Sequence, residues 1–175
     1  MTIWLRRTGI VIALAGAIHL ATVWAIPWLI VGVFAQRIAG STGINTVYTP
    51  PLPSPRDHLV VAPSPDLLYA ICLLDTAAGT VRITAGPAAG YWSLALYDRN
   101  ADNIFRTGSA ADAKVELLLG RAASAGTLAA RFPAATYIQA PHETAILLGR
   151  FLVADRARPE AAIAARATVR CEKTE

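Results

Sequence analysis

Few side chains in this sequence can do acid–base, metal or nucleophilic chemistry: three histidines (His19, His58, His142), two cysteines (Cys72, Cys171) and scattered carboxylates. His58 and His142 could meet Asp66, Asp75 or Glu143 in space. Their spacing supports no such site, because there is no His-x-x-x-His, no Gly-x-Ser-x-Gly and no Gly-rich phosphate loop. Ser93 lacks an elbow context, and His142 follows Pro141 in what reads as a solvated turn between strands. The segment Asp98-Arg99-Asn100-Ala101-Asp102 alternates oxygen ligands as a calcium loop does. An EF-hand, however, needs Gly sixth and Glu twelfth, where this chain has Asn103 and Ser109. Asp and Asn at a strand end commonly form a turn by bonding their own backbone, and that is the expectation here.

Neither cysteine has a second ligand at finger-like spacing, so no metal site is assigned. No catalytic residue and no cofactor is assigned either. In an oxidising compartment Cys72 and Cys171 are expected to bridge. Closing a loop of about a hundred residues stabilises a domain by ~4–5 kcal/mol in the chain-entropy model. Tyr69, Tyr91, Trp92, Tyr97 and the carboxylate of Asp98 form a candidate ligand cleft, since aromatic rings beside a carboxylate suit sugars or apolar ligands. The same rings equally suit a core.

The elements that must position these residues begin with an anchor. From Thr8 to Phe34 the chain carries no formal charge, whereas a bilayer core needs ~20 residues and a cleavable signal peptide has an apolar region of only ~7–15. An uncleaved transmembrane helix is expected. Arg6 and Arg7 precede it, which favours a cytoplasmic N-terminus, and Arg37 on the far side weakens that bias without reversing it. Trp4 and Trp24 are twenty residues apart, or ~30 Å at the helical rise, matching the hydrocarbon thickness. Trp28 falls just outside, and Pro27 makes a kink plausible where the helix leaves the lipid. The apolar overhang from Leu29 to Phe34 then lies along the interface or against protein. Gly9, Ala13, Ala17, Ala21 and Ala25 recur every four residues, a ridge that lets another helix approach closely in lipid. His19 lies off that ridge and reads as a neutral imidazole near the interface.

Three regions are expected: an anchor over residues 1–37, a Pro/Gly-rich linker over 38–65, and a periplasmic β-rich domain over 66–175. Six segments carry β-branched or aromatic residues in alternation: Leu68–Leu74, Thr80–Thr84, Tyr91–Tyr97, Lys114–Leu119, Ala135–Gln139 and Ala145–Val153. In the third, Trp92, Leu94 and Leu96 share one face. The second and third segments read as a hairpin with a long loop. Arg158-Pro159-Glu160 opens an alanine-rich helix reaching about Val169. The fold expected is α+β, one transmembrane helix followed by a mainly β antiparallel sheet or sandwich closed by a C-terminal helix.

Three stretches in this order carry a family likeness: Ala62-Pro63-Ser64-Pro65-Asp66-Leu67-Leu68-Tyr69, Val81-Arg82-Ile83-Thr84-Ala85, and Tyr91-Trp92-Ser93-Leu94-Ala95-Leu96-Tyr97-Asp98 followed by Asn100-Ala101-Asp102-Asn103. Across about residues 60–170 the chain resembles the family numbered 1254 among the domains of unknown function, in its short, membrane-anchored alphaproteobacterial form. The resemblance implies an N-terminal anchor, a β-rich periplasmic domain and a small companion protein of the family numbered 1214. It implies no catalytic residues. Longer relatives have Asn-Arg-Asp where this chain has Ser64-Pro65-Asp66.

The net charge of +4 comes from isolated arginines rather than a run, which gives no electrostatic footprint for nucleic acid. The function expected is that of an interaction or scaffold protein in the bacterial inner membrane, an accessory subunit whose partners are the bilayer and another inner-membrane protein. The alternative is a periplasmic ligand-binding or hydrolytic domain acting on a cell-envelope component.

Overall fold

The computed structural model describes residues 2–54, 63–77, 79–88, 90–108, 114–121, 128 and 130–174. Its first element is a helix, α1 (Thr2–Thr42), which runs through Pro27 without interruption. The strands that follow are β1 (Val47–Tyr48), β2 (Leu67–Asp75), β3 (Val81–Ala85), β4 (Trp92–Asp98), β5 (Asn103–Gly108), β6 (Val115–Gly120), β7 (Thr136–Gln139) and β8 (Thr144–Leu152). A short helix α2 (Glu160–Arg166) and a last strand β9 (Arg170–Lys173) complete the chain.

Two sheets stack face to face. The larger has the order β1-β2-β8-β4-β5 and is antiparallel throughout; the smaller has the order β7-β6-β3-β9, in which β6 and β7 run parallel. Because side chains alternate along a strand, each strand of the larger sheet sends one set inward. Leu68, Ala70, Cys72 and Leu74 of β2, Leu147 and Phe151 of β8, and Trp92, Leu94 and Leu96 of β4 meet Val81, Ile83, Leu117 and Leu119 of the smaller sheet in one buried cluster. Gly149 of β8 is placed where a Cβ would come within 3.2–3.3 Å of Leu94, Phe151 and Ala70. The core is closed at that point by the absence of a side chain.

The outer set on β2 is also apolar, and α1 explains why. Val31 and Ile38, with Phe34, Ala35 and Ala39, pack on Tyr69, Ile71 and Leu73 of β2 and on Ile146 and Leu148 of β8. The spacing 31, 34, 35, 38 is one face of a helix. It covers β2 from the side opposite the core, so β2 is buried on both faces along nearly its whole length. Each large aliphatic side chain taken fully out of water stabilises the docking by about 1.5–3 kcal/mol.

All six strands expected from alternation are present, and Trp92, Leu94 and Leu96 do share the buried face. Four features differ from expectation. First, β3 and β4 are not a hairpin: β3 pairs with β6 and β9 in one sheet while β4 pairs with β5 and β8 in the other, so the two strands belong to different sheets. Second, residues 38–48 of the expected linker are the end of α1 and the edge strand β1. They are held there by Ile38 under the sheet and by Asn45, whose amide nitrogen donates to the Leu73 carbonyl at 2.8 Å and whose Oδ1 accepts from the Asp75 amide at 3.0 Å. Third, α1 passes Pro27 and continues to Thr42, beyond the expected anchor boundary at residue 37, where the packing of residues 31–39 on the larger sheet sustains it. Fourth, the C-terminal helix is shorter than expected, with Pro159 at its N-cap and Arg166 at its end. Cys171 therefore lies within β9, not after a long helix. Arg166 donates to the Pro50 carbonyl at 2.6 Å, and burial lowers its guanidinium pKa from the usual value.

Candidate functional site

The loop after β4 is built on Asp98. Its Oδ1 accepts from the backbone amides of Asn100 (2.8 Å) and Asp102 (2.9 Å), while its own amide donates to the Asp102 carbonyl. Ala101 takes a left-handed conformation, φ 68°, to close the turn. This is the turn chemistry expected of the segment. The carboxylate is nonetheless not spent on the backbone alone: Oδ2 lies 3.1 Å from Nδ1 of His142, in the loop between β7 and β8. The Asp98 side chain is 4% exposed and that of His142 33%. A buried carboxylate on Nδ1 fixes the orientation of a partly exposed ring, the arrangement that orients histidines in acid–base and ligand-binding sites.

In the sequence, Asp66, Asp75 and Glu143 are the carboxylates that His142 could meet, with no spacing to support a site, and the register of β4 against β8 brings it to Asp98 instead. Asp98 lies opposite Ala145, three residues after His142. That register was the signal, and it is visible only once the two strands are known to be neighbours. His58 lies outside the described residues. Glu143 is engaged by Arg121 at 3.4 Å.

The histidine borders two openings. One, of about 330 Å³, is lined by Thr76, Arg99, Arg121, Glu143 and Thr144. The other, of about 960 Å³, lies between the loops and α1, walled by Leu20, Val23, Trp24, Pro27 and Trp28 on the helix and by Arg99, Asn100 and His142 opposite. The Arg99 guanidinium stands 5.6 Å from the centre of the Trp28 ring, within cation–π range.

The five residues of the candidate cleft are separated. Tyr69 is buried under α1, its hydroxyl accepting from the Ser64 amide. Trp92 is in the inter-sheet core, 1% exposed. Asp98 is at the loop end with His142. Tyr91, Tyr97 and the otherwise buried Trp92 border one opening, a groove of about 660 Å³ on the outer face of the larger sheet beside Ser93, Arg106 and Arg150. That is the part of the face that α1 leaves uncovered. The Ser93 Oγ is buried with no hydrogen-bond partner.

Cys72 of β2 and Cys171 of β9 face each other from opposite sheets at disulfide distance, with Cα atoms 6.7 Å apart. Gly9, Ala13, Ala17 and Ala21 of the small-residue ridge are exposed in the single chain and Ala25 is half-buried, and a Cβ on Gly9 or Gly16 would meet nothing within 4 Å. The helix is long and apolar enough to be a membrane anchor or a signal sequence.

A family model described as "Protein of unknown function (DUF1254)" matches residues 44–173. No curated protein matches the sequence. Two crystal structures are similar in fold. The VPA0106 protein of Vibrio parahaemolyticus is 16% identical with a TM-score of 0.65, over 87% of this chain and 37% of its own length. An uncharacterised protein of Burkholderia cenocepacia is 16% identical with a TM-score of 0.51, over 81% of this chain and 38% of its own. The chain thus spans less than two-fifths of either structure.

Proposed function

The chain belongs to the DUF1254 family, whose description carries no activity, and from the geometry we propose that it is a membrane-anchored accessory protein. Its helix crosses the bacterial inner membrane with the N-terminus cytoplasmic, and its β domain is presented on the periplasmic side to another inner-membrane protein. The observation that carries this reading is the docking of residues 31–39 on the outer face of β2 and β8. A domain on a flexible tether reports nothing about its anchor. Here the ridge Gly9, Ala13, Ala17, Ala21 and Ala25 and the residues that dock on the domain belong to one continuous helix. A partner that packs on the ridge also sets the orientation of the domain. Small residues let helix backbones approach where lipid supplies no hydrophobic drive. The partner is an inner-membrane protein, the 1214 companion family being one source.

The test is the double substitution Ala17→Leu, Ala21→Leu in the full chain, followed by gentle solubilisation of native membranes. Loss of a co-purifying membrane protein, with the domain still folded, supports the reading. Unchanged recovery of that partner contradicts it.

A second reading, binding of an envelope component by the domain itself, is favoured by the outer groove between Tyr91 and Tyr97. There Ser93 keeps an unpartnered buried hydroxyl beside Arg106 and Arg150. Those groups suit an anionic or hydroxylated ligand, and nothing in the groove supplies a nucleophile with a base beside it.

A further inference from the structure

We infer that the cavity between α1 and the loops after β4 and β7 holds the headgroup of an anionic phospholipid from the leaflet into which the domain faces. The inference rests on the membrane-spanning reading of α1.

Depth comes first. With Trp24 at the edge of the hydrocarbon, Trp28 lies four residues or ~6 Å farther along the helix axis. The headgroup layer on each side of a ~30 Å hydrocarbon core is ~5–8 Å thick. Arg99, held over the Trp28 ring at 5.6 Å, is therefore at phosphate level. Asn100 and His142 line the same cavity.

The two walls differ in kind. Leu20, Val23, Trp24 and Pro27 form an apolar wall on the hydrocarbon side, suited to the first segment of an acyl chain. The other wall supplies donors, the Arg99 guanidinium and the Asn100 side-chain amide, with the His142 ring beside them held by Asp98 through Nδ1. Trp28 occupies one face of the guanidinium and leaves its edge N–H groups to bond oxygen.

Charge then selects among lipids. No carboxylate lines the cavity, Glu143 is paired with Arg121, and among the described residues no acidic group lies within ion-pair distance of Arg99. The nearest carboxylate, Asp98, is buried and taken up by His142 and two backbone amides, which leaves Arg99 without an ion-pair partner, so a lipid with net negative charge is preferred over a zwitterionic one carrying the same phosphate. The cavity volume of about 960 Å³ accommodates a headgroup and glycerol.

The experiment places the full chain in nanodiscs of phosphatidylcholine, with and without phosphatidylglycerol, and reads by native mass spectrometry which lipid stays bound on release. Retained phosphatidylglycerol is expected for the wild type, and Arg99→Gln is expected to lower its occupancy about tenfold. Arg158→Gln removes the same charge from an exposed site and is expected to change nothing. Equal retention of both lipids by the inserted wild type, or by Arg99→Gln and wild type alike, overturns the lipid site and leaves the anchor standing. Displacement of the lipid by inorganic phosphate overturns the lipid as occupant. A chain that fails to enter the nanodisc overturns the anchor and the lipid site together.

Discussion

Nδ1 of His142 and Oδ2 of Asp98 lie 3.1 Å apart, joining the loop before β8 to the turn after β4 through a carboxylate that is almost fully buried. The same carboxylate holds two backbone amides. Removing it strands three donors at once. Asp98→Ala is expected to cost about 3 kcal/mol in denaturant unfolding, against about 1 kcal/mol for His142→Ala, which leaves the turn amides satisfied. Equal costs for the two would show that the backbone bonds contribute nothing.

Ala101 closes that turn at φ 68°, a left-handed conformation that a Cβ disfavours. Ala101→Gly relieves the strain and is expected to stabilise the domain by about 1 kcal/mol, seen as a higher denaturation midpoint with an unchanged slope. A lower midpoint would mean that the unfolded chain gains more entropy than the turn loses strain.

Cys72 and Cys171 are 99 residues apart and come from opposite sheets, so a bond between them would clasp the sandwich. Protein from an oxidising compartment is expected to show no free thiol by mass spectrometry after alkylation under denaturing conditions. Reduction is expected to lower stability by ~4–5 kcal/mol in the chain-entropy model. Two alkylated cysteines in unreduced protein would contradict the pairing.

Asp155 sits below its ordinary carboxylate value of 3.8, first because Arg158 donates to it at 2.8 Å and second because the Ala157 amide does. A depressed folded pKa stabilises above the unfolded value and ceases to do so as pH falls through the folded one. Asp155→Asn is thus expected to be slightly less stable than wild type at neutral pH and to converge with it in acid, as the pH falls through the lowered folded value. A gap between the two that persists in acid would assign the difference to something other than the charge.

The central strands were legible because their apolar residues alternate or run continuously. The strands β1, β5 and β9 were not, and all three are sheet edges. β1 has two residues, β5 reads Asn-Ile-Phe-Arg-Thr-Gly with no buried position, and β9 carries Arg, Glu and Lys around a single inward cysteine. Edges keep charge to discourage pairing with other chains, which erases the alternation. The β3–β4 error has a related cause, since two neighbouring strands in sequence give no sign of which sheet each joins. At the candidate site, Asp98 and His142 were each visible as polar residues in loops, but their meeting depends on strand order. The docking of α1 was partly legible in the apolar overhang from Leu29 to Phe34, whereas Ala35 and Ile38, which continue its helical spacing, fall across the charged Arg37 and the expected linker boundary.

The central claim, that α1 carries the domain docked on the larger sheet and not on a tether, is tested most directly by hydrogen exchange on the bilayer-reconstituted chain. Amides 31–42 are expected to exchange as slowly as those of β2, and Ile38→Asp is expected to speed exchange across 31–42 while β3 and β6 stay protected. Rapid exchange of residues 31–42 in the wild type would contradict the account.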